Sequence, residues 1–223
     1  MNSISHIPKA EIHVHLEATI TPSLCRKFAK RNKVILSDDF FGSEYAYQWE
    51  DFYDFLKKYD IVTSVIHTPE DYYELTYAYL KECASHNVLY VEAMVSSTHA
   101  KAKGMTYQSF LDSIQEASLN AERDFGIVSR YLMNGIRHLG SESVQGTAEE
   151  VLKNPHPAIV GFGLGGDEFQ EWRDEADAVL NAFGKQHNCE YVELFGRKGW
   201  GKVLKDINYK EQTRLFAKEI NNV

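Results

Sequence analysis

The sequence predicts an α/β fold: a partial TIM-type (β/α) barrel of four βα units, followed by a small α/β segment. Three observations predict it. Short β-rich runs alternate with helical stretches, which implies βαβ units and a parallel sheet. No GxGxxG follows the first strand, so a barrel is preferred over the dinucleotide-binding form of an open sheet. Four strands are countable before residue 169 and one after it, short of the eight-stranded closed barrel, which commonly runs to about 250 residues.

The elements follow in order. Ala10–Leu16 (AEIHVHL) alternates with period 2 and reads as a strand. Pro22–Asn32 reads as a helix, with Thr21 as N-cap ahead of a proline at the first helical position. In Trp49–Ile66 the residues Trp49, Phe52, Phe55, Leu56 and Tyr59 share one helical face. Pro69–His86 repeats the Thr-Pro start with Thr68. Val88–Val95 is a strand, Tyr107–Asp124 a helix, Val128–Leu139 a strand and Ser141–Leu152 a helix. Ile159–Leu164 is a strand running into the loop Gly165-Gly166-Asp167-Glu168. Beyond it come a charged amphipathic helix at Phe169–Gln186, a strand at Cys189–Phe195, a helix around Val203–Leu204 and a last helix at Tyr209–Ile220. Residues 1–168 therefore read as the half-barrel and 169–223 as a separate segment.

Composition bounds the function. With 223 residues, 43% hydrophobic and 25% charged, the chain can bury a core of one domain. A net charge of −8 argues against a nucleic-acid binder but leaves room for a small uncharged nucleoside. Three cysteines, odd in number and far apart, form no disulfide framework, which suits a reducing cytoplasm. No window has the length and apolarity of a signal peptide or membrane span, so the expectation is a cytoplasmic protein with no membrane partner.

His13 and His15 carry the chemistry. Two residues apart on a strand, they point to one face. In a barrel that face is the interior, and at the strand's C-terminal end it opens where barrel active sites lie. Neutral imidazoles are good zinc ligands. Glu17 follows on the same face, placed to accept hydrogen bonds from a ligand. The alternative is a solvent-facing HxH on an edge strand. His67, His86 and His99, at helix or loop ends, suit surface or capping roles; His138 is either a structural histidine or one facing the barrel mouth. Arg130 and Arg137 are placed to pair with carboxylates such as Glu92. No cysteine has a base partner at readable spacing, which leaves a thiol mechanism without support.

Lys9-Ala10-Glu11-Ile12-His13-Val14-His15-Leu16-Glu17 resembles the first-strand signature of the adenosine deaminase family, and Gly161-Phe162-Gly163-Leu164-Gly165-Gly166-Asp167-Glu168 resembles its strand-four motif. The stretches Trp49–Asp60, Tyr90-Val91-Glu92 and Glu122–Ile127 are similar as well, so the likeness covers residues 6–168. It implies that His13 and His15 ligate zinc, with His15 also against the substrate. It further implies that Glu17 contacts the nucleoside sugar, that Gly166 contacts the purine, and that Trp49, Phe52 and Phe55 form a wall or lid. Amphipathic core packing is the other reading of those aromatics. The implied reaction is hydrolytic deamination of adenosine or a related 6-aminopurine by zinc-activated water.

The family's later parts, a His-Ala-Gly-Glu segment, a further histidine and an Asp-Asp pair, are not recognisable in this sequence. Asp38-Asp39 lies in a loop and reads as a solvated pair or turn cap, and His187 precedes a strand instead of ending one. No catalytic residue is assigned. The reading is a zinc-dependent deaminase, truncated and impaired, holding its zinc weakly. The alternatives are an inactive half-barrel that pairs with itself to cover exposed parallel edges, or an interaction protein. The interaction protein draws on Glu190–Trp200, which is similar to a pattern in small phage-associated proteins.

Overall fold

The structure, a computed structural model, describes residues 3–166 together with Ala182 and Lys185. The segments expected at Phe169–Gln186 (apart from those two helical positions), Cys189–Phe195 and Tyr209–Ile220, and His187 with them, lie outside the described residues.

Each helix start follows from its cap. Thr21 Oγ1 accepts from the Leu24 N–H ahead of α1 (Pro22–Asn32), which ends at Lys33 in the left-handed region. Asp51 Oδ1 accepts from Asp54 N–H at 2.8 Å, so α2 runs Phe52–Thr63 and Trp49 precedes it, a shorter helix than the sequence suggested. Thr68 and Asp71 form a reciprocal capping box at the start of α3 (Pro69–Ser85). A short helix not foreseen, α4 (Ser97–Ala102), precedes α5 (Tyr107–Phe125), which Gly126 closes at φ 73°. The last described helix is α6 (Ser141–Lys153).

Four parallel strands make one sheet in the order β1 (Lys9–His15), β2 (Val88–Val95), β3 (Val128–Ile136), β4 (Ile159–Gly165). Strand order equals chain order, with no reversal. A doubly wound sheet reverses its strand order at a switch point, so the progression is that of a partial TIM-type barrel. β3 stops three residues earlier than the alternation suggested, because Arg137–Leu139 forms a 3-10 turn closed by Gly140 N–H to Arg137 O at 2.9 Å.

The helix-facing positions of β2, Val91, Ala93 and Val95, are fully buried, while Tyr90, Glu92 and Met94 line the other face and are half-buried. Tyr131 and Met133 of β3 join the buried layer, against Tyr72 and Leu75 of α3 and Phe110, Leu111 and Ile114 of α5. Tyr72 and Phe110 meet edge-on at 4.7 Å. Each such large apolar side chain contributes about 1.5–3 kcal/mol by leaving water.

β1 departs from strict alternation. Its register jumps from Glu11↔Val91 to Val14↔Ala93, so β1 uses one more residue than β2 over that interval, a β-bulge. By alternation Glu11 would share a face with His13 and His15. It points instead toward α3, where its Oε2 accepts from the Tyr79 hydroxyl at 2.6 Å. No helix among the described residues is long and apolar enough to cross a membrane.

Candidate functional site at the C-terminal strand ends

The bulge delivers two imidazoles to the end of β1. The rings of His13 and His15 lie 6.5 Å apart and nearly perpendicular. His13 is exposed and His15 half-buried. Burial lowers the His15 pKa first, and the neighbouring His13 and His99 lower it further. His15 therefore stays neutral at neutral pH, the form whose ring nitrogen can ligate a metal.

Opposite His15, β4 is glycine-rich for a steric reason. A methyl group at Gly165 would come within 2.7 Å of Asn134 Nδ2 and 3.1 Å of His15 Cε1. One at Gly163 would rest on Met94 and on Asn134 Oδ1. Gly166 sits at φ 93°, where a side chain is strained, and a Cβ there would also strike His138 Nδ1 at 2.7 Å. Of the three, only Gly166 needs glycine for its backbone as well as for space. Gly166, a predicted substrate contact, thus lies beside His138, which is exposed at the same end of the sheet.

Glu17 is placed differently from His13 and His15. After β1 the chain turns through a 3-10 helix (Leu16–Thr19), and Glu17 is only 1% exposed. Its Oε1 accepts from the Ser96 N–H at 3.0 Å and faces the Tyr72 hydroxyl at 3.5 Å. Burial pushes the carboxyl up to about 7, against the downward pull of those hydrogen bonds.

Two further residues of this region have no functional role in the sequence reading. His99, in α4 just after β2, is half-buried. Its pKa is lowered chiefly by burial, then raised by Asp60 and lowered by His138 and Lys103. A surface or capping role is the expectation from the sequence, but its Nδ1 is buried without a partner and its ring faces Tyr59 at 6.1 Å. Asn134, on the same face of β3 as Met94 on β2, is 4% exposed with Oδ1 unpartnered. Among the described residues, four of the five buried side-chain polar atoms without a partner belong to Glu17, Ser96, His99 and Asn134. All four residues lie at the C-terminal ends of β1, β2 and β3. Such atoms are rare in folded proteins and concentrate where a ligand, ion or water belongs.

The aromatics of α2 lead into this region. Trp49 packs edge-on to Phe55 at 5.3 Å, Phe55 lies 6.2 Å from Tyr59, and Tyr59 reaches His99. Trp49 and Phe52 are 52% and 45% exposed, so these two are not core residues. Arg130 lies in register with Glu92, but its Nη1 donates to Ser129 O, while Glu92 accepts from the Tyr90 hydroxyl. Arg137 Nη2 reaches Leu164 O at 3.5 Å. Asp38 and Asp39 are exposed in the first turn of a short 3-10 helix whose cap position is Ser37.

Paired imidazoles are suitable donors for a divalent ion. Among the described residues, however, no group of three or more His, Cys, Asp or Glu side chains could hold one. The described residues supply two donors and do not by themselves make a closed zinc site.

A singly wound β/α sheet with histidines and glycines converging at its C-terminal strand ends defines a partial (β/α) barrel. The chain belongs to the adenosine deaminase family, whose pattern matches residues 8–193. That match continues past residue 168, where the recognisable motifs end. A curated adenine deaminase of Rhizobium leguminosarum bv. trifolii is 40% identical over 163 residues, 73% of this chain and 50% of that protein. Among solved structures, the adenine deaminase of Arthrobacter aurescens superposes with a TM-score of 0.69 at 23% identity, over 80% of this chain and 54% of that one. An amidohydrolase from Burkholderia ambifaria with bound zinc gives 0.71 at 21% identity, over 81% and 51%. The chain spans about half the length of the curated relatives it matches.

Proposed function

We propose that this chain carries the N-terminal half of a site for hydrolytic deamination of a 6-aminopurine, with free adenine favoured over adenosine as substrate. His13 and His15 supply two ligands of one zinc ion, whose remaining ligands lie outside residues 3–166. His15 and the backbone at Gly166 face the base. The half-barrel comprises residues 1–168 and the following segment residues 169–223, with the family match reaching to 193.

The observation that carries this reading is the contrast between the imidazole pair and Glu17. The imidazoles stand at the mouth, with His15 beside the closely packed, glycine-rich end of β4. The carboxylate that the family resemblance assigns to a sugar is turned into the core and bound to Ser96. Glu17 Oε2 has no partner but is sealed from solvent, so a nucleoside sugar would reach it only by displacing that packing, whereas a free base needs no such contact. The names of the relatives, adenine deaminases, and the zinc bound in a structural neighbour agree with this reading.

Metal content tests the zinc assignment. The full chain, loaded with zinc and dialysed, is expected to retain one equivalent. Loss of a ligand should cost at least the roughly 10–100-fold in affinity that loss of an outer-shell partner costs, so H13A and H15A should each emerge depleted. Retention by both variants would remove these histidines from the site.

A second reading is favoured by the lack of a third ligand among the described residues and by the outer edges of β1 and β4, which pair with no described strand. In it the chain is a catalytically inactive half-barrel that self-associates to cover those edges. A soluble, metal-free oligomer supports this second reading against the first. A zinc-loaded monomer does the reverse.

A further inference from the structure

We propose that Asn134 is a positioning residue for His15: its side-chain oxygen accepts a hydrogen bond from the ring N–H of His15 that faces away from the metal. This role rests on the reading of His15 as a zinc ligand.

Asn134 lies near the C-terminal end of β3, in register with Gly163 of β4. It is a polar residue in an otherwise apolar stretch, Tyr131-Leu132-Met133-Asn134-Gly135-Ile136, and is 4% exposed. A buried acceptor without a partner destabilises the fold, whereas an apolar side chain of the same shape does not. Asn134 Oδ1 has no partner, so packing alone does not account for an amide at this position.

The His15 ring is packed against the same spot. The position that a Cβ of Gly165 would take lies 2.7 Å from Asn134 Nδ2, 3.3 Å from Asn134 Oδ1 and 3.1 Å from His15 Cε1. Gly165 has no positive φ, so glycine is required there by space alone. Any side chain would crowd both the amide and the imidazole. Glycine at this position lets a residue of β1 and one of β3 pack together at the end of β4, although β2 lies between their strands.

An imidazole that ligates a metal through one nitrogen carries its proton on the other. That N–H almost always has an acceptor, which fixes the tautomer and the orientation of the ring. Among the described residues, no hydrogen bond is made to the His15 ring. A ring N–H in need of an acceptor and an amide oxygen in need of a donor therefore lie against one spot. The terminal torsion of asparagine is broad and roughly two-fold. A half-turn puts the oxygen where Nδ2 now stands, the end of the amide closer to that spot. The oxygen then holds the ring while the opposite nitrogen is presented to the metal.

Two measurements on the full chain test this: zinc affinity by competition with a chelator, and proton exchange at the His15 ring by NMR with nitrogen-15-labelled histidine. Loss of an orienting partner costs roughly 10–100-fold in metal affinity, and N134L is expected to bind zinc more weakly by about that factor. Its unfolding temperature without metal should equal that of the natural chain or exceed it, because leucine leaves no unpaired acceptor. In the zinc-loaded natural chain the His15 ring N–H should exchange slowly with water; in N134L at saturating zinc it should exchange fast. Unchanged zinc affinity in N134L, or slow exchange in both proteins, overturns the role of Asn134 and leaves the zinc site standing. Fast exchange in the natural chain does the same and needs no variant, so the test stands even if N134L fails to fold. No zinc retained by the natural chain overturns the ligand reading and the role together.

Discussion

Replacement of Asp71 by alanine is expected to destabilise the fold by about 3–5 kcal/mol, because it strands several inward-facing donors at about 1–3 kcal/mol each and removes a helix cap. The side chain is wholly buried, and its Oδ1 takes a 2.7 Å hydrogen bond from Arg31 of α1. Oδ2 accepts from Asn32 Nδ2 at 2.8 Å and from the N–H groups of His67 and Thr68 at 2.9 and 3.1 Å. One carboxylate thus ties α1 to the start of α3 and caps that helix. Alanine leaves the Asn32 amide and two backbone N–H groups without this acceptor in the interior. Arg31 is 28% exposed and can turn to water, so R31A should cost clearly less than D71A. Urea denaturation of the variants measures both. Equal losses for R31A and D71A would show that the ion pair, and not the cap and backbone bonds, carries the effect.

Replacement of Glu17 by glutamine is expected to stabilise the protein above pH 7 and to do little below pH 5. Burial raises the carboxyl from its ordinary 4.5 to about 7 in the folded chain. The folded state therefore binds the proton more tightly than the unfolded state, and the stability this supplies is complete below about pH 4.5. It is lost as pH rises to about 7, at up to about 1.4 kcal/mol per pH unit, for a total of order 3 kcal/mol. Glutamine keeps an acceptor for the Ser96 N–H and carries no charge to desolvate. Thermal unfolding at pH 5 and pH 8 tests this: the advantage of E17Q should appear only at the higher pH. An E17Q protein less stable than the natural chain at pH 8 would mean that the ionised carboxylate is stabilised in the fold, by a cation, more than burial penalises it.

Much of the architecture is written in local signals. The Thr-Pro starts at Thr21 and Thr68 work through side-chain oxygens that capture helix N–H groups, and the prolines sit where no N–H is needed. The alternation in Val88–Val95 survives intact because one face is packed under helices and the other faces the sheet's open side. The same rule misleads at β1, since a bulge depends on the partner strand's register and leaves no mark in the bulged strand's own pattern. Glu17 illustrates the same limit. Spacing places it on the histidines' face, but the 3-10 turn after His15 sends its carboxylate to Ser96, a residue 79 positions away. His99 and Asn134 carried weak signals, a histidine soon after a strand end and a lone amide among apolar residues. Their meaning comes from neighbours on other strands, which a single sequence does not specify.

On the proposed function, the strand-end histidines belong to a site acting on a free 6-aminopurine. Release of ammonia by the purified full chain, supplied with zinc and offered adenine or adenosine in parallel, tests it most directly. Ammonia is expected from adenine, far less from adenosine, and none from adenine when His15 is replaced by alanine. Ammonia from adenosine in preference to adenine would contradict the reading of Glu17, and undiminished release by H15A would contradict the site itself.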